Sequence, residues 1–178
     1  MDTPLTPYRL SAIAATLLLG LMAGFFFAFA VDVAPAMTHL DAAAYVETQQ
    51  WINRVVRNLP FALAYFGSTL LAIVPAVLAA RARQLSLACA WAIVAIVYFA
   101  AVFWVTRSVN VPINDALALW NPAAPPAEWS QWRDRWNEAN DWRALASFGC
   151  FAAALVLTAL PAPAEASNPT LRGRKPAA

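Results

Sequence analysis

Four stretches of the chain contain no Asp, Glu, Lys, Arg or His: Leu10–Val31, Phe61–Ala80, Leu85–Val105 and Ala144–Leu160. At 22, 20, 21 and 17 residues, each is close to the ~20 that an α-helix needs to cross ~30 Å of hydrocarbon. None alternates with period two, as a barrel strand would. The pattern predicts four membrane-spanning helices in a single domain, residues 1–160. Spans two and three are separated only by Arg81-Ala82-Arg83-Gln84 and form a tight hairpin, whereas Asp32–Pro60 and Thr106–Arg143 are long connections. With an even number of spans, both long connections lie on the side opposite the termini.

The long connections have their own periodicity. Tyr45, Gln49, Ile52, Val56 and Leu59 recur at steps of three and four, which predicts an amphipathic helix over about 41–58 that ends before Pro60. Trp129, Trp132, Trp136, Ala139 and Trp142 do the same over about 128–143. Asn121-Pro122-Ala123-Ala124-Pro125-Pro126 breaks the chain before this second segment, and no proline follows until after Leu160. It therefore continues into span four as one helix of about 50 Å. The expected fold is all-α: a four-helix membrane bundle with a helical cap on one side. The proline-rich, basic stretch 161–178 is expected to be a disordered tail near anionic headgroups.

Composition narrows the reading. Of 178 residues, 61% are apolar and 12% charged, against about 25% charged in soluble domains. A net charge of +2 without a basic block excludes a nucleic-acid binder. Cys89 and Cys150 lie inside apolar runs and read as small buried apolar residues. Arg9 and Ala28-Phe29-Ala30 resemble a cleavable leader, but the apolar run is longer than the ~7–15 residues of a signal and reads as a retained helix. Lys and Arg tie at six on each side, spread over about 31 residues on the terminal side and 67 on the capped side. Their density favours cytoplasmic termini in a bacterial inner or plasma membrane.

Small residues fall at every fourth position of span one (Ala12, Thr16, Gly20, Gly24, Ala28) and span two (Ala64, Ser68, Ala72, Ala76, Ala80). Steps of four drift about 40° each, so both stripes wrap around their helices. Packing within the bundle explains them better than dimerisation does. Pro75 predicts a kink in span two.

No ionisable residue falls mid-span, which weighs against a proton pump or ion-coupled carrier. The chemically capable groups gather on the capped side. Asp32 is expected to end span one before Pro35, as half of an interfacial charge pair with Arg107 or Arg143, or as a base or substrate anchor. His39, the only histidine, is an interfacial residue, a general base or a metal ligand, though one imidazole with few partners makes a poor metal set. In Asn110-Val111-Pro112-Ile113-Asn114, Pro112 disfavours helix and predicts a bend carrying two amides. Those amides either satisfy freed backbone groups or bind a carbonyl or phenol. Seven of the eight tryptophans lie on or near the capped side, as an aromatic belt or a stacking wall for a flat ligand.

Gly-rich span one leading into Phe25-Phe26-Phe27-Ala28-Phe29, then Gln50-Trp51-Ile52-Asn53, Asn110-Val111-Pro112-Ile113-Asn114, and Trp136 with Asn140-Asp141-Trp142-Arg143 follow in order. This order resembles the anthrone oxygenase-like family of small membrane proteins, over about Leu10–Leu160. The resemblance implies oxidation of a hydrophobic aromatic substrate by molecular oxygen at the membrane interface. Gln50, Asn53, Asn110, Asn114, Asn140 and Arg143 match its polar positions. The catalytic candidates are then His39 or Asp32 as base, with Asn110, Asn114 and Arg143 as oxyanion donors. Gln50, Asn53, Asn140, Trp136 and Trp142 are the substrate-binding candidates. No flavin, haem or nicotinamide motif is present, so the cofactor stays open between cofactor-free and metal-assisted chemistry, with no metal ligands assigned. The alternative is a non-catalytic membrane protein that binds a partner subunit, a lipid or a quinone-like ligand.

Overall fold

A computed structural model describes residues 5–162, so the expected tail lies outside the described residues apart from Pro161 and Ala162. Among the described residues five helices make up the fold: α1 (Pro7–Met37), α2 (Ala42–Val55), α3 (Leu59–Arg81), α4 (Leu85–Leu117) and α5 (Trp129–Ala159). All but α2 are long and apolar enough to cross a membrane. Together they form an all-α, integral membrane four-helix bundle. Around it, α1 packs on α3 and α5, and α4 closes the square on the same two helices. Large apolar side chains such as Leu17, Leu21, Phe66, Leu70, Ile96 and Phe148 remain exposed on its outside, where acyl chains replace water.

Local chemistry sets the helix ends. Thr6 caps α1 through the Arg9 amide, Asp41 caps α2 through Ala44, and Asn58 caps α3 through Phe61. The α3–α4 hairpin closes as a Schellman turn, with Gln84 N–H bonded to the Ala79 carbonyl and Arg83 N–H to Ala80. Arg83 takes the left-handed φ of 58° that such a turn usually gives to glycine.

The two helices expected to stop at proline do not stop. Phe29–Val33 and Thr106–Asn110 are π-helical turns, and each ends two residues before a proline, Pro35 in α1 and Pro112 in α4. In a regular α-helix the proline ring would collide with the carbonyl four residues back and leave it unbonded. A wide i→i+5 turn just before the proline relieves that collision, so the helix continues. Asp32 therefore lies inside α1 rather than at its end, and Asn110 and Asn114 sit on continuous helix rather than on a bend.

The small-residue stripes pack and then rotate outward, as their drift requires. Ala12 and Thr16 are buried, Thr16 Oγ1 lies 2.9 Å from Thr158 Oγ1 on α5, and Gly24 and Ala28 are exposed. Gly20 faces the Phe151 ring so closely that a Cβ there would come within 2.9 Å of it. Gly20→Val is expected to wedge α1 from α5 and destabilise the bundle by about 1–3 kcal/mol. Gly24→Val, where a Cβ meets nothing within 4 Å, is expected to leave thermal unfolding in detergent nearly unchanged. Equal losses at both positions would refute this packing.

Two apolar clusters result. One fills the bundle around Phe26, Trp91, Tyr98 and Val102; the other fills the cap with Phe29, Met37, Tyr45, Val46, Ile113, Leu117 and Trp136. Between them runs a buried polar layer containing Asn53, Asn110, Asn140 and Arg143.

Candidate functional site

A cavity of about 160 Å³ opens at this layer. Phe25, Phe26 and Phe29 of α1, Phe61 of α3 and Trp136 of α5 supply its aromatic wall. Asn53 and Arg57, from α2 and its C-terminal turn, Thr106, Asn110 and Asn114 from α4, and Asn140 and Arg143 from α5 supply its polar groups.

On α5 the site follows from spacing. Trp136, Asn140, Arg143, Ser147, Cys150 and Ala154 are all buried and advance by alternating steps of four and three. That is one face of a helix, running unbroken from the cap into the bundle. Trp142 falls on the opposite side, 62% exposed, and does not line the cavity.

The wide turns position the other walls. Phe29 belongs to the π turn of α1, and Thr106 and Asn110 to that of α4. Asn110 Nδ2 donates to the Trp136 carbonyl at 3.2 Å, and Trp136 Nε1 donates to Asn114 Oδ1 at 2.8 Å. The two asparagines thus clamp Trp136 from one helical face. Phe29 packs on the same indole, with ring centroids 4.9 Å apart.

Arg143 is the electrostatic centre. Its residue is 5% exposed, and its guanidinium donates to Thr106 Oγ1 at 3.0 Å and to Asn140 Oδ1 at 3.1 Å. It also sits over the faces of Phe26, at 4.7 Å, and Trp136, at 5.3 Å. Among the described residues no carboxylate pairs with it; the ion pairs found there are Arg57–Asp115 and Arg133–Asp134. Its hydrogen bonds and ring contacts are all to neutral groups. Arg143 Nε, Asn53 Nδ2 and Asn110 Oδ1 are buried without a hydrogen-bond partner, two donors and one acceptor. Buried polar groups are almost always bonded, and buried charges paired. The cavity thus presents two free donors and one free acceptor beside a buried charge.

The remaining sequence candidates lie elsewhere. His39 and Asp32 are exposed and outside the cavity lining, and Asp32 makes no ion pair with Arg107 or Arg143 among the described residues. Gln50 Nε2 donates to the carbonyls of Leu117 and Trp120, at 2.9 and 3.0 Å, closing the C-terminal end of α4. It also lines a small polar pocket with Asn53, Arg54, Arg57 and Asn114, adjoining the main cavity. In the cap, burial pushes the Tyr45 phenol above its ordinary range, so it stays neutral against Trp129. Among the described residues, no three of His, Cys, Asp and Glu gather as metal ligands would.

Sequence reasoning missed Thr106, Arg57 and the phenylalanines as cavity wall. For Arg57 there was a signal, its place four residues after Asn53 on the cap helix. For Phe26 and Phe29 there was none, because a phenylalanine in a span reads as lipid-facing or core.

A family model described as anthrone oxygenase matches residues 61–161. No curated protein and no solved structure matches the chain. The matched region covers more than half of the sequence and includes every cavity residue from α3, α4 and α5. A polar layer carrying an unpaired guanidinium at the end of an aromatic vestibule thus lies largely within the matched segment, and the chain belongs to the anthrone oxygenase family.

Proposed function

We propose that this membrane protein oxidises an anthrone-like aromatic ketone with molecular oxygen in the capped cavity. The observation that carries the reading is Arg143: a buried guanidinium without a carboxylate, facing an aromatic cavity. In surroundings of low dielectric such a charge strongly favours a negative oxygen over a neutral one. An anthrone has an acidic CH₂ opposite its carbonyl, and loss of one proton moves charge onto the carbonyl oxygen. Arg143 and the free Asn53 amide would receive that oxyanion, while Asn110 Oδ1 would accept from a substrate hydroxyl. The proton passes to water in the polar pocket at Arg57 and Asn114, on the capped side, where the exposed Asp115 carboxylate pairs with Arg57.

The electron balance needs no further reductant. The carbanion passes one electron to O₂, and the resulting radical and superoxide couple to form a C–O bond. The hydroperoxide then loses the second proton from the same carbon as its O–O bond breaks, giving a ketone and hydroxide. Anthrone and O₂ become anthraquinone and water. The density of Lys and Arg supports cytoplasmic termini, which sets this site toward the opposite face of a bacterial inner or plasma membrane.

Purified protein in detergent with an anthrone is expected to consume one O₂ per anthraquinone formed, well above the uncatalysed rate. Asn110→Leu keeps the volume and removes the free acceptor. It is expected to lower turnover of a hydroxylated anthrone by about tenfold to a hundredfold, in keeping with about 1–3 kcal/mol for one buried hydrogen bond. Turnover by the wild-type protein no faster than background would sink the oxidase reading.

A second reading, ligand binding without turnover, is favoured by one observation: neither base candidate, His39 or Asp32, lines the cavity. A rise in Tm on adding anthraquinone, without oxygen consumption on adding anthrone, would select this reading.

A further inference from the structure

The cavity has an apolar neighbour. A groove of about 450 Å³ lies on the outer surface where α1, α2 and the start of α3 meet. Phe25, Phe29, Ile52, Val56 and Phe61 line both compartments, so the two share a wall. Val33, Trp51 and Val55 complete most of the groove, and its one polar side chain, Asn58, is occupied in capping α3. Beyond the groove the exposed apolar surface continues: Leu59, Leu63 and Phe66 lead down α3. At the rim, Arg54 lies over Trp51 at 5.0 Å, an arrangement suited to a headgroup-level cation above an interfacial indole. On the other side, the cavity meets the small polar pocket at Asn53, Arg57 and Asn114. The cavity thus borders an apolar groove and a polar pocket at different places.

We propose that the ligand enters sideways from the bilayer through the shared wall formed by Phe25, Ile52, Val56 and Phe61, rather than from water. The occupant of the groove is the apolar body of the same amphiphile whose oxygen meets Arg143. The enclosed cavity takes the polar end and the open groove takes the rest, which limits ligands to flat or extended lipid-soluble molecules with one oxyanion-forming end. This rests on the oxyanion reading of Arg143 for the ligand's polar end, but the groove's exposure to lipid can be tested without it.

Two measurements in nanodiscs test the route. The first compares wild-type protein with Trp51→Phe, so that the difference isolates Trp51 fluorescence. Phosphatidylcholine brominated in its acyl chains is expected to quench most of that difference, and aqueous iodide little of it. Quenching by iodide and not by brominated lipid would overturn lateral entry, whatever the protein's activity. The second adds Val56→Trp, which thickens the shared wall and replaces none of the polar side chains. Its binding of anthraquinone preloaded in the bilayer is expected to be about tenfold slower, with polar-layer residues unchanged. An unchanged rate would also overturn the route. If wild-type protein binds no anthraquinone, the oxyanion reading fails instead, and Trp51 quenching alone decides the groove.

Discussion

Arg143→Met is expected to abolish anthrone-dependent oxygen uptake, by about a thousandfold or more, while the protein becomes slightly more stable. The two effects follow from one arrangement. Removing a single neutral donor from an oxyanion site costs about 10²–10³ in rate, and a guanidinium held among aromatic rings exerts a larger field than an amide does. In the folded protein the same charge is buried without a counter-charge. Desolvating an ion costs several kcal/mol, which two hydrogen bonds to neutral oxygens and two ring faces offset only in part. A methionine of similar length fills the space without that penalty. A net gain of about 1–2 kcal/mol would raise Tm by roughly 2–8 °C. Oxygen-electrode assays and thermal unfolding of the same preparation check both halves. Loss of activity together with a large drop in Tm would mean that Arg143 is a structural residue and not the partner of the oxyanion.

Trp136→Ala is expected to produce the largest loss of stability of any single substitution in the cap, about 3–5 kcal/mol. The indole packs on Phe29, carries the Arg143 guanidinium on one face and donates to Asn114. Truncation empties the centre of the cap cluster and leaves the Asn114 carbonyl oxygen without its donor. Trp136→Phe keeps the ring against Phe29 and Arg143 but still loses the N–H, and is expected to cost about 1–2 kcal/mol. Unfolding in detergent followed by far-UV circular dichroism measures both. An alanine variant no less stable than the phenylalanine variant would show that the ring contributes little. Because the side chain also walls the cavity, both variants should weaken anthraquinone binding, the alanine one more.

The sequence made the bundle legible because the spans announce themselves: charge-free runs of the right length admit few other structures in a bilayer. The amphipathic α2 and the continuity of α5 were equally readable, since Tyr45 to Val56 and Trp129 to Ala139 keep helical spacing and no proline interrupts α5. Arg143 and Asn140 could be placed at the capped end of span four, but their burial could not be foreseen. Polar residues at a membrane boundary usually face water, and only the extension of the Ser147, Cys150 and Ala154 face upward shows that these two turn inward. The same argument disposes of Trp142, six residues from Trp136 and therefore on the far side of the helix.

Local rules misled at Pro35 and Pro112. Each proline predicts an end or a bend, and on that ground Asp32 reads as a helix terminus. What propensity cannot show is that a turn one residue wider can carry a helix through a proline. His39 and Asp32 suffered from a related problem, in that chemical capability along the chain says nothing about which side of a helix faces the cavity.

Those wide turns have a consequence for how relatives of this chain can differ. A π turn is in effect one additional residue accommodated within an α-helix. Losing one residue from Thr106–Asn110 would remove that turn, though not the π-helical stretch Phe99–Trp104 before it, and swing everything after it by about 100°, carrying Asn114 away from the Trp136 indole. The membrane-spanning part before it would keep its length and its lipid-facing surface. In such a fold a one-residue insertion or deletion, which in most helices is simply damaging, becomes a way to present a different set of side chains to the ligand. An alignment that treats gaps near Asn110 or Phe29 as noise would overlook such a change of register.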